Sequence, residues 1–184
     1  MLHSSHKRKI LIAGVSGFIG SFLYNRFNKD YSITALDYSK GLIEDNFFPL
    51  DLTQEADVET FAKKSPKCDA LIFLVGLAHK KGKGQELDEF RRINKQTLIN
   101  LFSKLDEKNK LPEKIIFAST ISVYGEKINQ NVYNEDSDKM PFSPYAVILH
   151  ENLDELSEGH LEMWENIYIE GTGGNAYRLL NEHS

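Results

Sequence analysis

Three glycines spaced three apart, Gly14, Gly17 and Gly20, close the apolar run Ile10-Leu11-Ile12-Ala13 and open a stretch of helical spacing. Glycines at a strand-to-helix turn let main chain approach an anion. Gly14 permits a tight turn, Gly17 lets the backbone near Phe18 and Ile19 come close to a pyrophosphate at the positive helix end, and Gly20 permits close packing of helix on strand. Three glycines alone are a weak signal. Asp37, twenty positions beyond Gly17 and just after the next apolar run, strengthens it. A carboxylate there can accept bonds from both hydroxyls of an adenosine ribose and repel a 2′-phosphate, so the expected cofactor is NAD, not NADP. Asp51, followed by Leu52 at the end of a third short run, is placed to meet an adenine edge or else serves as an ordinary turn or cap residue.

These residues need a scaffold of alternating strands and helices. Residues 9–15 form the first apolar run, and Phe18, Ile19, Phe22, Leu23 and Phe27 a helical stripe after the turn. Ile33–Leu36 and Phe47–Leu52 are the next extended segments, and Thr53 is positioned to cap a helix over residues 54–64. Ala70–Val75 is almost wholly apolar, as in a strand covered on both faces. A long helix over residues 87–108 follows, with Phe90, Ile93, Thr97, Leu98, Leu101, Phe102 and Leu105 as its inner stripe, then a fifth strand over Lys114–Ala118. The polar stretch 125–142 has the length of a binding lid, and Pro144 suits the first turn of a helix reaching about Ser157. Beyond it the pattern is mixed, and only Ala176–Leu180 reads as a further strand. The order predicts an α/β fold, a doubly wound, mostly parallel Rossmann-type sheet. Residues 1–8 read as a flexible N-terminus, 9–158 as a nucleotide-binding domain and 159–184 as its degenerate or truncated end.

Composition narrows the partners. With 184 residues, 41% of them apolar and 27% charged, the chain suits one globular domain burying roughly 70% of its unfolded surface. A net charge of -5 from 22 basic and 27 acidic residues offers no cationic face for nucleic acid. Lys7, Arg8 and Lys9 precede an apolar run too short to span a membrane and read as a solvated strand entrance. Cys68 is the only cysteine, which excludes an internal disulfide and a thiolate zinc cluster, and the six histidines show no helical metal spacing. Neither a metal nor a membrane is expected, and cytoplasmic placement is.

Together, Gly14 to Gly20, Asp37, Asp51-Leu52, Asn94, Ser119-Thr120-Ile121-Ser122-Val123-Tyr124-Gly125 and Ser143-Pro144-Tyr145-Ala146-Val147 resemble the NAD-dependent epimerase/dehydratase family. These are the extended short-chain dehydrogenase-like proteins, and the UDP-glucose 4-epimerase group is nearest in pattern. The resemblance covers residues 9–157 and returns faintly at Arg178-Leu179-Leu180-Asn181. It implies a nucleotide-sugar ligand, with Thr120 orienting a sugar hydroxyl and Tyr145 as acid/base. It also implies Gly76 and Leu77 lining the cofactor, Asn94 bracing the sheet near the site, and Ser119 and Ser122 as supporting hydroxyls.

Two departures bear on chemistry. The family pattern Tyr-x-x-x-Lys becomes Tyr145-Ala146-Val147-Ile148-Leu149, so the lysine that would lower the phenol pKa and bond to the nicotinamide ribose is a leucine. An unassisted phenol with a pKa of about 10 is roughly one part in a thousand ionised near pH 7. His150, five positions from Tyr145, points elsewhere on a helix and is no replacement. Family members also run to about 300 residues, so a C-terminal substrate lobe is expected to be missing. Three readings follow: an NAD-binding epimerase/dehydratase-like protein with weak or lost catalysis, an active nucleotide-sugar epimerase completed by a partner chain, or a non-catalytic NAD-responsive scaffold. A homodimer is a further expectation, because missing cover would leave sheet surface exposed.

Overall fold

Apolar residues on both faces of successive strands force cover on both sides, and the fold supplies it. The computed structural model describes residues 7–39, 43, 45–77, 86–125, 137–143, 145–152 and 167–170. The strands are β1 (Lys9–Ala13), β2 (Ser32–Asp37), β3 (Phe47–Pro49), β4 (Ala70–Phe73), β5 (Lys114–Thr120) and β6 (Ile167–Glu170). They form one parallel sheet in the order β3-β2-β1-β4-β5-β6. Strand β1 divides its side chains between two cores: Leu11 and Ala13 on one face, Ile10 and Ile12 on the other.

Leu23, Tyr24 and Phe27 of α1 (Phe18–Phe27) cover the second face. The first face is covered by α2 (Glu55–Lys64) through Val58, Phe61 and Ala62, and by α4 (Thr97–Glu107) through Leu98, Leu101, Phe102 and Leu105. The doubly wound expectation is therefore met, and the sheet changes direction between β1 and β4, the position at which such folds bind ligands beyond the strand ends.

Several boundaries differ from the expectation. The third strand stops at Pro49 and the fourth at Phe73, each shorter than its apolar run, whereas the fifth extends to Thr120. Thr53 does not cap α2; Gln54 does, without a side-chain bond, because the Thr53 hydroxyl and N–H both turn back to Asp51. The stripe on α1 is narrower than its apolar content suggests, with Phe18 at 93% and Phe22 at 67% exposure on the outer side. The sixth strand is Ile167–Glu170, paired with β5, within the stretch read as mixed; Ala176–Leu180 lies outside the described residues, as do residues 1–6, Pro144 and most of the expected lid.

The long helix expected over 87–108 has three parts: α3 (Glu86–Phe90), a π-helical segment Arg91–Gln96, and α4. A π-helical turn adds a residue to the helix and displaces the carbonyl ladder, a device often found beside functional sites. A further helix, α5, spans 145–152, and its start is capped by Ser143, whose Oγ accepts the Ala146 N–H at 3.1 Å. Opposite charges tie the outer faces of α2 and α4. Lys104 lies 2.9 Å from both Glu55 and Glu107, and Glu59 lies 2.9 Å from Lys63 and 3.1 Å from Lys108.

Candidate functional site

The turn after β1 shows why glycine is needed at two of its three positions. Gly14 has a φ of +86°, and a Cβ there would lie 2.9 Å from the Leu74 carbonyl carbon, because β1 and β4 leave the sheet side by side. A Cβ on Gly20 would lie 2.2 Å from the Gly14 oxygen, so α1 can seat against the turn only without one. At Gly17 the same construction gives 3.3 Å to that oxygen, a contact that small movements relieve.

Gly17 is the N-cap of α1 and supplies no side-chain cap, and the first turn carries no acidic residue. The Ser21 N–H begins the helical ladder by donating to the Gly17 carbonyl at 2.9 Å. The N–H groups of Phe18, Ile19 and Gly20 thus precede the ladder at the positive helix end, where an anion is favoured.

Asp37 ends β2 beside this turn. Its Oδ2 accepts the Ser16 N–H at 2.8 Å and its Oδ1 the Tyr38 N–H at 2.7 Å. A cleft of about 430 Å³ opens next to it, lined by Asp37, Asp51, Leu52, Val75, Arg92 and Ile93 among others. The two carboxylates separated by fourteen residues thus face one cavity. Asp51 does not have the whole carboxylate available, since Oδ1 accepts both the N–H and the hydroxyl of Thr53, at 2.9 and 2.7 Å. It combines the turn role with a place on the cleft wall.

Two buried asparagines of the long helix hold the loops around the cleft. Asn94 clamps Leu77 main chain from both ends: its Oδ1 accepts the Leu77 N–H at 2.5 Å and its Nδ2 donates to the Leu77 carbonyl at 3.0 Å. Gly76 lies directly beneath, where a Cβ would come within 3.4 Å of the Asn94 Oδ1. Asn100, not singled out from the sequence, donates to the Leu52 carbonyl at 2.9 Å and accepts from Gln96 at 2.8 Å. The signal available was a polar residue inside the apolar stripe of a long helix.

Thr120 ends β5 nearly buried, and its Oγ1 accepts the Ser122 N–H at 3.3 Å as the cap of the short 3₁₀ turn Ile121–Tyr124. The Ser119 hydroxyl is buried without a partner among the described residues. Tyr145 is half-buried on α5, its ring packed on Phe90 with centroids 6.1 Å apart, and it rests on the same apolar cluster as Val123 and Tyr124. Leu149, one turn further along, is 3% exposed within that cluster. His150 is half-buried on the same helix. Cys68 is buried away from the cleft entrance near Thr34, and desolvation pushes its thiol pKa up.

A family model described as the NAD dependent epimerase/dehydratase family matches residues 10–150. The chain is 26% identical over 191 aligned positions to the N-acetyl-alpha-D-glucosaminyl-diphospho-ditrans,octacis-undecaprenol 4-epimerase of Escherichia coli O157:H7, covering 94% of this chain and 53% of that protein. Among solved structures it is similar to the UDP-Glc/GlcNAc 4-epimerase of Campylobacter jejuni, with 29% identity, a TM-score of 0.72, and coverage of 89% of this chain and 53% of the other. The fold is likewise that of the Thermus thermophilus UDP-glucose 4-epimerase in complex with NAD, at 24% identity, a TM-score of 0.71, and coverage of 86% and 53%. The chain spans about half the length of these relatives.

Proposed function

The chain belongs to the NAD-dependent epimerase/dehydratase family, and from that premise we propose that it binds NAD at the β1–β4 switch point and has weak or lost catalysis toward nucleotide-sugars. The observation that carries the binding half is the cradle itself: two glycine positions that a Cβ would fill, an uncapped helix start, and Asp37 beside them. In this reading Gly14, Gly17 and Gly20, with the N–H groups of Phe18 and Ile19, receive the pyrophosphate. Asp37 receives the ribose hydroxyls, and Asp51 and Leu52 the adenine edge. Gly76 and Leu77 line the nicotinamide side, with Asn94 holding them.

Bound NAD supplies a hydride acceptor for a sugar carbon. The residues of the chain would then orient the sugar hydroxyl at Thr120 and move its proton at the Tyr145 phenol. Leu149 carries the other half of the proposal. It stands where the family pattern has lysine and is packed into the core, so no cation at that position favours the phenolate.

The relatives named above are epimerases of UDP-glucose, UDP-N-acetylglucosamine and a lipid-linked N-acetylglucosamine, which makes nucleotide- or diphosphate-linked sugars the class to assay. The test is purified chain with NAD and UDP-glucose or UDP-N-acetylglucosamine, following 4-epimerisation by NMR. Binding of NAD without turnover supports the proposal; sustained turnover by the chain alone overturns its catalytic half.

A further inference from the structure

Side chains meet two consecutive carbonyls of the π-helical segment Arg91–Gln96. Ile93 O receives the Thr97 hydroxyl, and Asn94 O receives the Nδ2 of Asn152 from α5 at 2.6 Å. Asn152 is fully buried, and its Oδ1 has no partner among the described residues. An unpaired buried acceptor costs stability that an apolar residue of the same shape would not. General packing thus does not account for an asparagine here, and its bond to the Asn94 carbonyl does.

Asn94 joins two segments that line the cleft. Its side chain holds Leu77, two residues past cleft-lining Val75, and its own segment contributes Arg92 and Ile93 to the lining of the same cleft. Asn152 lies on the same face of α5 as Tyr145 and Leu149, at the i, i+4 and i+7 positions. The neighbouring Glu151 adds a bond to Lys95 at 3.1 Å.

We propose that Asn152 is a positioning residue: by holding the Asn94 carbonyl it sets the π-helical segment so that the Asn94 amide fixes Leu77 and the cleft keeps the width that NAD requires. The importance for NAD rests on the function proposed above, whereas the link from Asn152 to Leu77 does not.

The experiment measures the amide exchange protection of Leu77, the thermal midpoint and the calorimetric NAD affinity for the unaltered chain, Asn152→Leu, Asn152→Asp and Asn94→Ala. Asn152→Leu is expected to speed Leu77 exchange about tenfold and to weaken NAD binding about fivefold, the size of one net hydrogen bond. The thermal midpoint should change little, because the unpaired Oδ1 is removed while the Asn94 carbonyl loses its donor. In an Asn94→Ala background the same change should add nothing at Leu77. Asn152→Asp should protect Leu77 while its carboxyl is protonated and can donate, and lose that protection as pH rises through its titration.

Unchanged Leu77 protection in Asn152→Leu, or a fall in protection spread evenly over the core with a lower midpoint, would overturn the proposal. If Asn152→Leu does not fold, the pH dependence of Asn152→Asp decides alone. If the unaltered chain fails to bind NAD, the NAD reading falls, and the Leu77 protection still decides the positioning claim.

Discussion

The Asp37 carboxylate accepts the main-chain N–H of Ser16 at 2.8 Å, so the end of β2 and the glycine turn after β1 are held as one unit. A side chain fixed in this way meets a ribose without first being ordered, which lowers the entropic cost of binding. Asp37→Ala is therefore expected to weaken NAD binding about tenfold or more, the loss typical of hydrogen bonds to a charged group. Asp37→Asn should fall between, since an amide oxygen can still accept from Ser16. Calorimetry on the three proteins checks the order, and equal affinities would remove Asp37 from the site.

The three glycines should separate when each is changed to alanine. Gly20→Ala places a Cβ 2.2 Å from a main-chain oxygen, and Gly14→Ala combines a contact of 2.9 Å with a φ of +86°. Each is expected to lose about 1–3 kcal/mol of stability or more. Gly17→Ala meets only a 3.3 Å contact and should fold nearly as well while binding NAD less tightly. Urea unfolding beside an NAD titration distinguishes a folding role from a binding role at each position.

That turn was legible in the sequence because its requirement is local: strand, three glycines and an answering acid lie within twenty-eight residues. The parallel, doubly covered sheet was legible for the same reason, in the unbroken apolar runs of β1 and β4. The clamps were not. Asn100 reaches Leu52 across 48 residues and Asn152 reaches Asn94 across 58, and bonds of side chain to distant main chain leave no periodic trace. The π-helical segment was equally hidden, since one inserted residue leaves the apolar spacing of Phe90, Ile93, Thr97 and Leu101 looking helical. Phe18 and Phe22 misled in the other direction, being apolar by type and outward by place.

Acid should weaken the α2–α4 contact through Glu59. Hydrogen bonds from Lys63 and then Lys108 lower its pKa from 4.5 to about 2. A carboxylate with a depressed folded-state pKa stabilises fully above its unfolded value, and that contribution is lost as pH falls from about 4.5 toward about 2. Glu59→Gln should flatten the stability profile in that window and leave the region above it parallel to the unaltered chain. Added salt should shrink the difference, because the network lies at the surface. Thermal midpoints measured from pH 2 to 6 at two salt concentrations test both points.

Restoring the family lysine should carry a cost. Leu149 is 3% exposed among apolar neighbours, so Leu149→Lys places an ammonium in the core unless it is turned toward the cleft, and the free protein should lose stability. In the NAD complex the same change should move the Tyr145 titration to lower pH, as an adjacent cation favours the phenolate. NMR of selectively labelled tyrosine reads that titration directly. An unmoved Tyr145 signal would show that position 149 does not address the phenol in this chain.

The measurement that bears most directly on the central claim is a calorimetric titration of the purified chain with NAD and then with NADP. Saturable binding of NAD, with NADP markedly weaker because Asp37 repels the 2′-phosphate, is the expected result. Absence of heat and of any thermal shift with either dinucleotide would contradict it, and equal affinity for both would contradict the role given to Asp37.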